Sequence, residues 1–141
     1  MKATYQNPWI LDGQPFESES IGKNYGFVYL ITHIPSGKMY VGRKYFHNYR
    51  KAPKATRRKK TESDWKTYYG SNEEIKELVK EEGEENFRRE ILRLYESKGG
   101  VNYGEVKEQF ERRVLESDDY YNDQINGKWY KKNVRKYYED S

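Results

Sequence analysis

Residues 25–46 read Tyr-Gly-Phe-Val-Tyr-Leu-Ile-Thr-His-Ile-Pro-Ser-Gly-Lys-Met-Tyr-Val-Gly-Arg-Lys-Tyr-Phe. From Tyr25 to Thr32 the run is β-branched and aromatic, with apolar groups at odd and even positions alike, which marks a central strand covered on both faces. Ile34-Pro35-Ser36-Gly37 is a turn signal, and Met39 to Phe46 reads as the returning strand of a hairpin. If the hairpin is symmetric about the Ile34-Pro35 bond, Tyr29 and Tyr40 oppose each other directly, with Cβ atoms ~5 Å apart. Two phenols so placed can hold a water or a phosphate oxygen between them. A one-residue slip would send them to opposite faces.

Further along, Ser71 and Glu74 form a capping box ahead of Ile75, Leu78 and Val79, and the pattern stops at Gly83, so a short helix is predicted. Phe87 to Tyr95 alternates Phe87, Arg89, Ile91, Arg93 and Tyr95 against Glu90, Leu92 and Leu94, an edge or amphipathic strand. Past Gly99-Gly100 a second helix is predicted over 104–116, its apolar stripe running Val106, Phe110, Val114. The order β-β-α-β-α predicts an α/β (α+β) domain over 23–125, a small three-stranded antiparallel sheet flanked by helices. Residues 1–22 read as an N-terminal extension packed at Trp9 and Ile10, and 126–141 as a basic, aromatic arm. The stretch from 47 to 64 reads as a long basic loop, a length that favours function.

A chain of 141 residues has room for one domain. Ile, Leu, Val and Phe make up only 25 of them, but fifteen Tyr and three Trp supply amphipathic surface that can be buried with its polar tip at the edge. The absence of Cys excludes disulfides, thiolate zinc sites and cysteine nucleophiles, and is compatible with a reducing, cytoplasmic setting. His33 and His47 are too few for a histidine cluster, so a metal here would be a hard cation on oxygen ligands, Mg²⁺ first among them. The N-terminus has no apolar signal core and no stretch of 18 apolar residues occurs, so neither secretion by a standard signal nor a membrane span is expected.

The net charge of +4 is unevenly spread. Arg50, Lys51, Lys54, Arg57, Arg58, Lys59 and Lys60 put seven cations into eleven residues, which leaves −3 elsewhere. From Lys128 to Tyr138 five cations alternate with four aromatics. Cations displace counterions from phosphates and rings stack on bases, so the two stretches point to nucleic acid. A solvated loop and a surface helix are the plainer alternative.

Phe27-Val28-Tyr29 and Tyr40-Val41-Gly42, their tyrosines eleven positions apart, resemble the two signature triplets of the GIY-YIG nuclease family, the first departing from the pattern and the second fitting it. Arg50 stands ten positions beyond Tyr40, where that family carries its arginine; Glu108 falls in the late helix where it carries a metal-binding glutamate; Asn122 matches its closing asparagine. The resemblance, from Gly26 to Asn122, implies a Mg²⁺- or Mn²⁺-dependent endonuclease on double-stranded DNA, of a kind often found in phage and mobile elements. Tyr29 would be general base or water orienter if a nearby cation lowers its phenol pKa from the ordinary ~10. Tyr40 would position it, Glu108 would hold the metal, and Arg50 would stabilise charge on the pentacoordinate phosphorus.

Several positions stay open. Glu105 and Glu111 are rivals to Glu108, whose plain reading is an i, i+4 pair with Arg112. Arg43, Lys44, Arg57 or Arg58 can replace Arg50. Lys54 stands about where the family often has a histidine, and His47 lies three residues before Arg50. Asn122 would bond the glutamate or the backbone. Arg43, Lys51, Lys54, Arg57, Arg58, Lys59, Lys60, Lys131 and Lys132 would bind DNA backbone, from one copy of the chain or from a pair of copies on DNA. The alternative functions are a non-catalytic nucleic-acid-binding protein of the same fold and a protein-interaction module.

Overall fold

A computed structural model of the chain describes residues 5–51 and 58–138, the side chains of 50, 51, 58 and 59 excepted. In chain order it contains β1 (Ile10–Leu11), β2 (Gln14–Pro15), β3 (Gly26–His33), β4 (Met39–Tyr45), β5 (His47–Lys51), β6 (Arg58–Glu62), α1 (Glu73–Glu82), β7 (Phe87–Tyr95), α2 (Lys98–Glu111), β8 (Gln124–Ile125), β9 (Trp129–Tyr130) and α3 (Lys131–Val134). The principal sheet is ordered β2-β1-β7-β3-β4. It therefore has five strands rather than three. The β1–β2 hairpin adds them, and β1 runs parallel to β7 with Ile10 opposite Glu90. Residues 5–22 are thus part of the domain and not an extension: Trp9 and Phe16 are buried in the main core.

All eight residues of β3 are buried, as its two-sided apolar pattern requires. Phe27, Tyr29 and Ile31 point into a core shared with Trp9, Phe46, Trp65, Ile75, Phe87 and Ile91. Val28 and Leu30 point to the other face, packed with Val41, Val114, Leu115, Tyr120 and Ile125. The β3–β4 register pairs Tyr29 with Gly42 and Ile31 with Tyr40. The hairpin is two residues out from the symmetric pairing, because Gly37 in the left-handed region (φ 75°) places the turn at 34–37. An even shift preserves faces, so Tyr29 and Tyr40 remain on one side as diagonal neighbours.

Helix α1 begins one residue later than the capping box suggests. Asn72 is its N-cap, accepting from the Ile75 N–H at 3.1 Å, and Gly83 closes it. Helix α2 departs further, starting at Lys98 with Ser97 as its cap and ending at Glu111, so Val114 lies beyond it. The fully buried residues of the helix are Val101, Gly104 and Gln109; of the expected stripe Val106 packs against the second core and Val114 is buried in it from beyond the helix, while Phe110 is exposed. Residues expected as a basic loop pair as an antiparallel ribbon, β5 with β6, with Arg50 opposite Lys59 and Lys51 opposite Arg58. Stacking of Tyr49 on Tyr25, ring centroids 5.6 Å apart, ties this ribbon to the body. Lys54 and Arg57 lie outside the described residues.

Candidate active site

A cleft of about 870 Å³ opens astride β4, the edge strand, and Tyr29, Tyr40, Arg43, Tyr68, Ser71, Glu105, Gln109 and Asn122 are among the residues lining it. Alternation along β4 puts Tyr40, Gly42 and Lys44 on the face that carries Tyr29, and Val41 and Arg43 on the face covered by α2. The two sides meet at Gly42, where the missing side chain leaves room for the Tyr29 phenol to reach the strand edge. Tyr29 and Tyr40 have ring centroids 6.3 Å apart, and Tyr68 meets Tyr29 edge-on at 6.1 Å. Tyr40 shares a 3.2 Å hydroxyl hydrogen bond with Ser71. Gly70, at φ 88°, packs beneath both phenols.

Helix α2 delivers Glu105 to this cleft, where Arg43 Nε lies 3.3 Å from its carboxylate. Burial pushes the Glu105 carboxyl above its usual range, Arg43 partly offsetting it. Glu108 is not among the lining residues; it bonds Arg112 Nε at 2.8 Å, one turn on. The rotational setting of α2 explains this: with Val101, Gly104 and Gln109 turned into the protein, Glu105 borders the cleft and Glu108 lies outside it. Glu111, the other rival, is paired with Lys107 on the exposed face.

Tyr29 is fully buried. Burial first, and then the Tyr68 and Tyr40 phenols and Glu105, hold its pKa well above the ordinary value of 10.0. Each of those influences raises the value, so the expected lowering by a cation does not occur in the free protein. Tyr40 is raised for the same leading reason, its bond to Ser71 acting in the other direction. Both phenols are protonated at neutral pH.

The neighbouring groups fix this geometry. Asn122 accepts from the Val41 N–H at 3.0 Å and donates to the Val41 carbonyl at 2.8 Å, so it pairs with the edge strand's backbone. Gln109 donates to the same carbonyl at 3.1 Å. Lys44 stands 4.0 Å above the Tyr68 ring and pairs with Asp64 at 2.6 Å. Behind Tyr68, the guanidinium of the fully buried Arg89 lies between the Trp9 and Tyr69 rings and donates to the carbonyls of Asn7, Lys66 and Tyr68. A cation held by carbonyls in this way ties the N-terminal segment and the Tyr68 wall to β7.

Other expected residues lie elsewhere. His47 is on the ribbon beside Tyr49, its pKa lowered by burial and by Lys60, and is not among the cleft residues. The Arg50, Lys51, Arg58 and Lys59 backbones are on the same ribbon. Lys60 and Lys132 are exposed. Lys131 lines the cleft, but its ammonium is spent on the Ser117 and Tyr120 carbonyls at 2.9 and 2.6 Å. Tyr68, Ser71 and Gln109 had no signal in the sequence, apart from the Gly70 that follows two adjacent tyrosines.

Residues 9–125 match the family described as "Putative endonuclease segE, GIY-YIG domain". The chain belongs to the GIY-YIG nuclease family. No curated protein and no solved structure matches the chain. Among the described residues no helix is long and apolar enough to cross a membrane.

Proposed function

We propose that the chain is a divalent-metal-dependent endonuclease that hydrolyses phosphodiester bonds in double-stranded DNA, with Glu105 rather than Glu108 as the metal-binding carboxylate. The observation that carries this is the convergence of Tyr29, Tyr40, Arg43 and Glu105 on one cleft from both sides of β4. The family's departure at Phe27 does not touch that convergence, because the Phe27 ring is in the core against Trp9 and Phe46.

The donor set fits a hard cation. Glu105 offers carboxylate oxygens, and among the described residues no cluster of three His, Asp or Glu could hold a metal alone. Coordination completed by water and phosphate oxygens is what Mg²⁺ and Mn²⁺ accept. The cleft lining carries Lys38, Arg43 and Lys131 against Glu73, Glu74, Glu105, Asp118 and Asp123, two negative charges in excess. A phosphate enters such a cleft more readily with a counter-cation. Held by Glu105, the ion would supply Lewis-acid neutralisation of the scissile phosphate and leaving oxygen.

The chain's own groups then divide the remaining work. Tyr29, protonated and buried, orients the attacking water through its hydroxyl, with Tyr40 and Tyr68 fixing its direction. Arg43 stabilises charge developing on phosphorus, an assignment shared with Arg50, whose strand position is known and whose side chain is outside the described residues. Asn122 and Gln109 keep the β4 edge rigid under the site. Incubating supercoiled plasmid with the protein in Mg²⁺, Mn²⁺ or EDTA tests the reading. Nicking in the metals and none in EDTA is expected. DNA retention with no cleavage in any ion would favour the non-catalytic binding protein instead.

A further inference from the structure

We propose that the β8–β9 hairpin is a base-stacking lip of the cleft, so that the preferred substrate is DNA with unpaired bases next to the duplex. This rests on the nuclease reading of the adjoining site. Gln124, Asn126 and Gly127 of the hairpin line the same cleft as Tyr29 and Glu105, so a strand leaving the site passes the hairpin tip. The tip is rigid: Asn126 and Gly127 adopt φ 55° and 67°, Gln124 Oε1 accepts from the Gly127 N–H at 2.7 Å, and Ile125 anchors it in the second core.

On this fixed support sits an exposed aromatic pair. Trp129 is 43% exposed and Phe110 49%, the rings meeting edge to face at 5.3 Å. Lys128 Nζ lies 5.8 Å from the Trp129 ring, and Lys132 is exposed in α3, which follows the hairpin in sequence. An apolar ring beside free ammonium groups matches a ligand that is both aromatic and anionic, which describes a nucleotide. Bases inside a duplex are already stacked on both neighbours, so away from duplex ends an indole on a rigid hairpin finds an open base face where a base is unpaired.

The three tryptophans make this testable without catalysis. Trp9 and Trp65 are 0% exposed, so a ligand that stacks on the surface is reported by Trp129. The unmodified protein is titrated in EDTA with a blunt duplex and with the same duplex carrying a short single-stranded arm, following indole emission. The armed duplex is expected to quench emission and the blunt one not. Trp129→Ala is expected to weaken binding of the armed duplex about tenfold or more and to leave the blunt one unchanged. Trp129→Phe removes the quench and keeps most of the affinity. Absence of quenching, or equal loss on both duplexes, overturns the proposal. Plasmid nicking by the unmodified protein in Mg²⁺ is scored separately: nicking without quenching removes the lip alone, and quenching without nicking removes the nuclease reading alone.

Discussion

The Tyr29 phenol oxygen lies over Gly42, its direct partner across the β3–β4 pair, in space that any side chain at 42 would fill. Gly42→Ala is therefore expected to displace the ring, costing about 1–3 kcal/mol of stability through overpacking. It should also lower the cleavage rate far more than DNA affinity. Chemical denaturation and single-turnover cleavage on one preparation measure both. Unchanged cleavage with a lowered melting temperature would contradict the placement of Tyr29 in the reaction.

Partial desolvation of the Glu105 carboxylate opposes folding. Its folded pKa is raised above the ordinary 4.5, so the native state holds the proton more tightly. Stability contributed by this group falls as pH rises from the unfolded value through the folded one, and the penalty is complete above that window. Glu105→Gln should hold or raise the melting temperature at pH 7, with the difference shrinking near pH 4. Mg²⁺ should stabilise the parent and not the variant. Differential scanning fluorimetry across pH, with and without Mg²⁺, reads both effects.

Arg89 is buried among carbonyls and two rings, its guanidinium donating to the backbone carbonyls of residues 6, 7, 66 and 68. Arg89→Met leaves those carbonyls without their donor, and a loss of order 3 kcal/mol is expected in urea unfolding. Arg89→Lys should recover only part of this, since an ammonium cannot reach the carbonyls of residues 7, 66 and 68 together.

Adjacent lysines should behave differently. Lys131→Gln strips the Ser117 and Tyr120 carbonyls of a donor and should lower the melting temperature. Lys132→Gln should leave stability unchanged and reduce the slope of log affinity against log salt by about one, if Lys132 meets a phosphate. Identical behaviour of the two variants would contradict the structural role given to Lys131.

Strand β3, the bounds of β7 and the end of α1 at Gly83 were readable because periodicity or a glycine stop fixes them locally. The shared face of Tyr29 and Tyr40 was readable too, since an even register shift does not alter it. The β1–β2 hairpin was not: two-residue strands have no period, and Trp9 is held by tertiary packing. Helix α2 misled because Phe110 continues an apolar stripe yet is exposed, and because Val114, though buried, lies beyond the helix end. The buried residues of the helix are Val101, Gly104 and Gln109, and hydropathy singles out only the first of them. A carboxylate half-buried in a cleft, as Glu105 is, runs against the patterning by which a core is recognised.

The central claim is that Glu105, and not Glu108, supplies the carboxylate of the site. Plasmid nicking by Glu105→Gln and Glu108→Gln, compared at equal protein and saturating Mg²⁺, tests it most directly. The expected result is loss of nicking in the first with DNA retained in a gel shift, and near-parental nicking in the second. Full activity in Glu105→Gln, or activity lost only in Glu108→Gln, would contradict it.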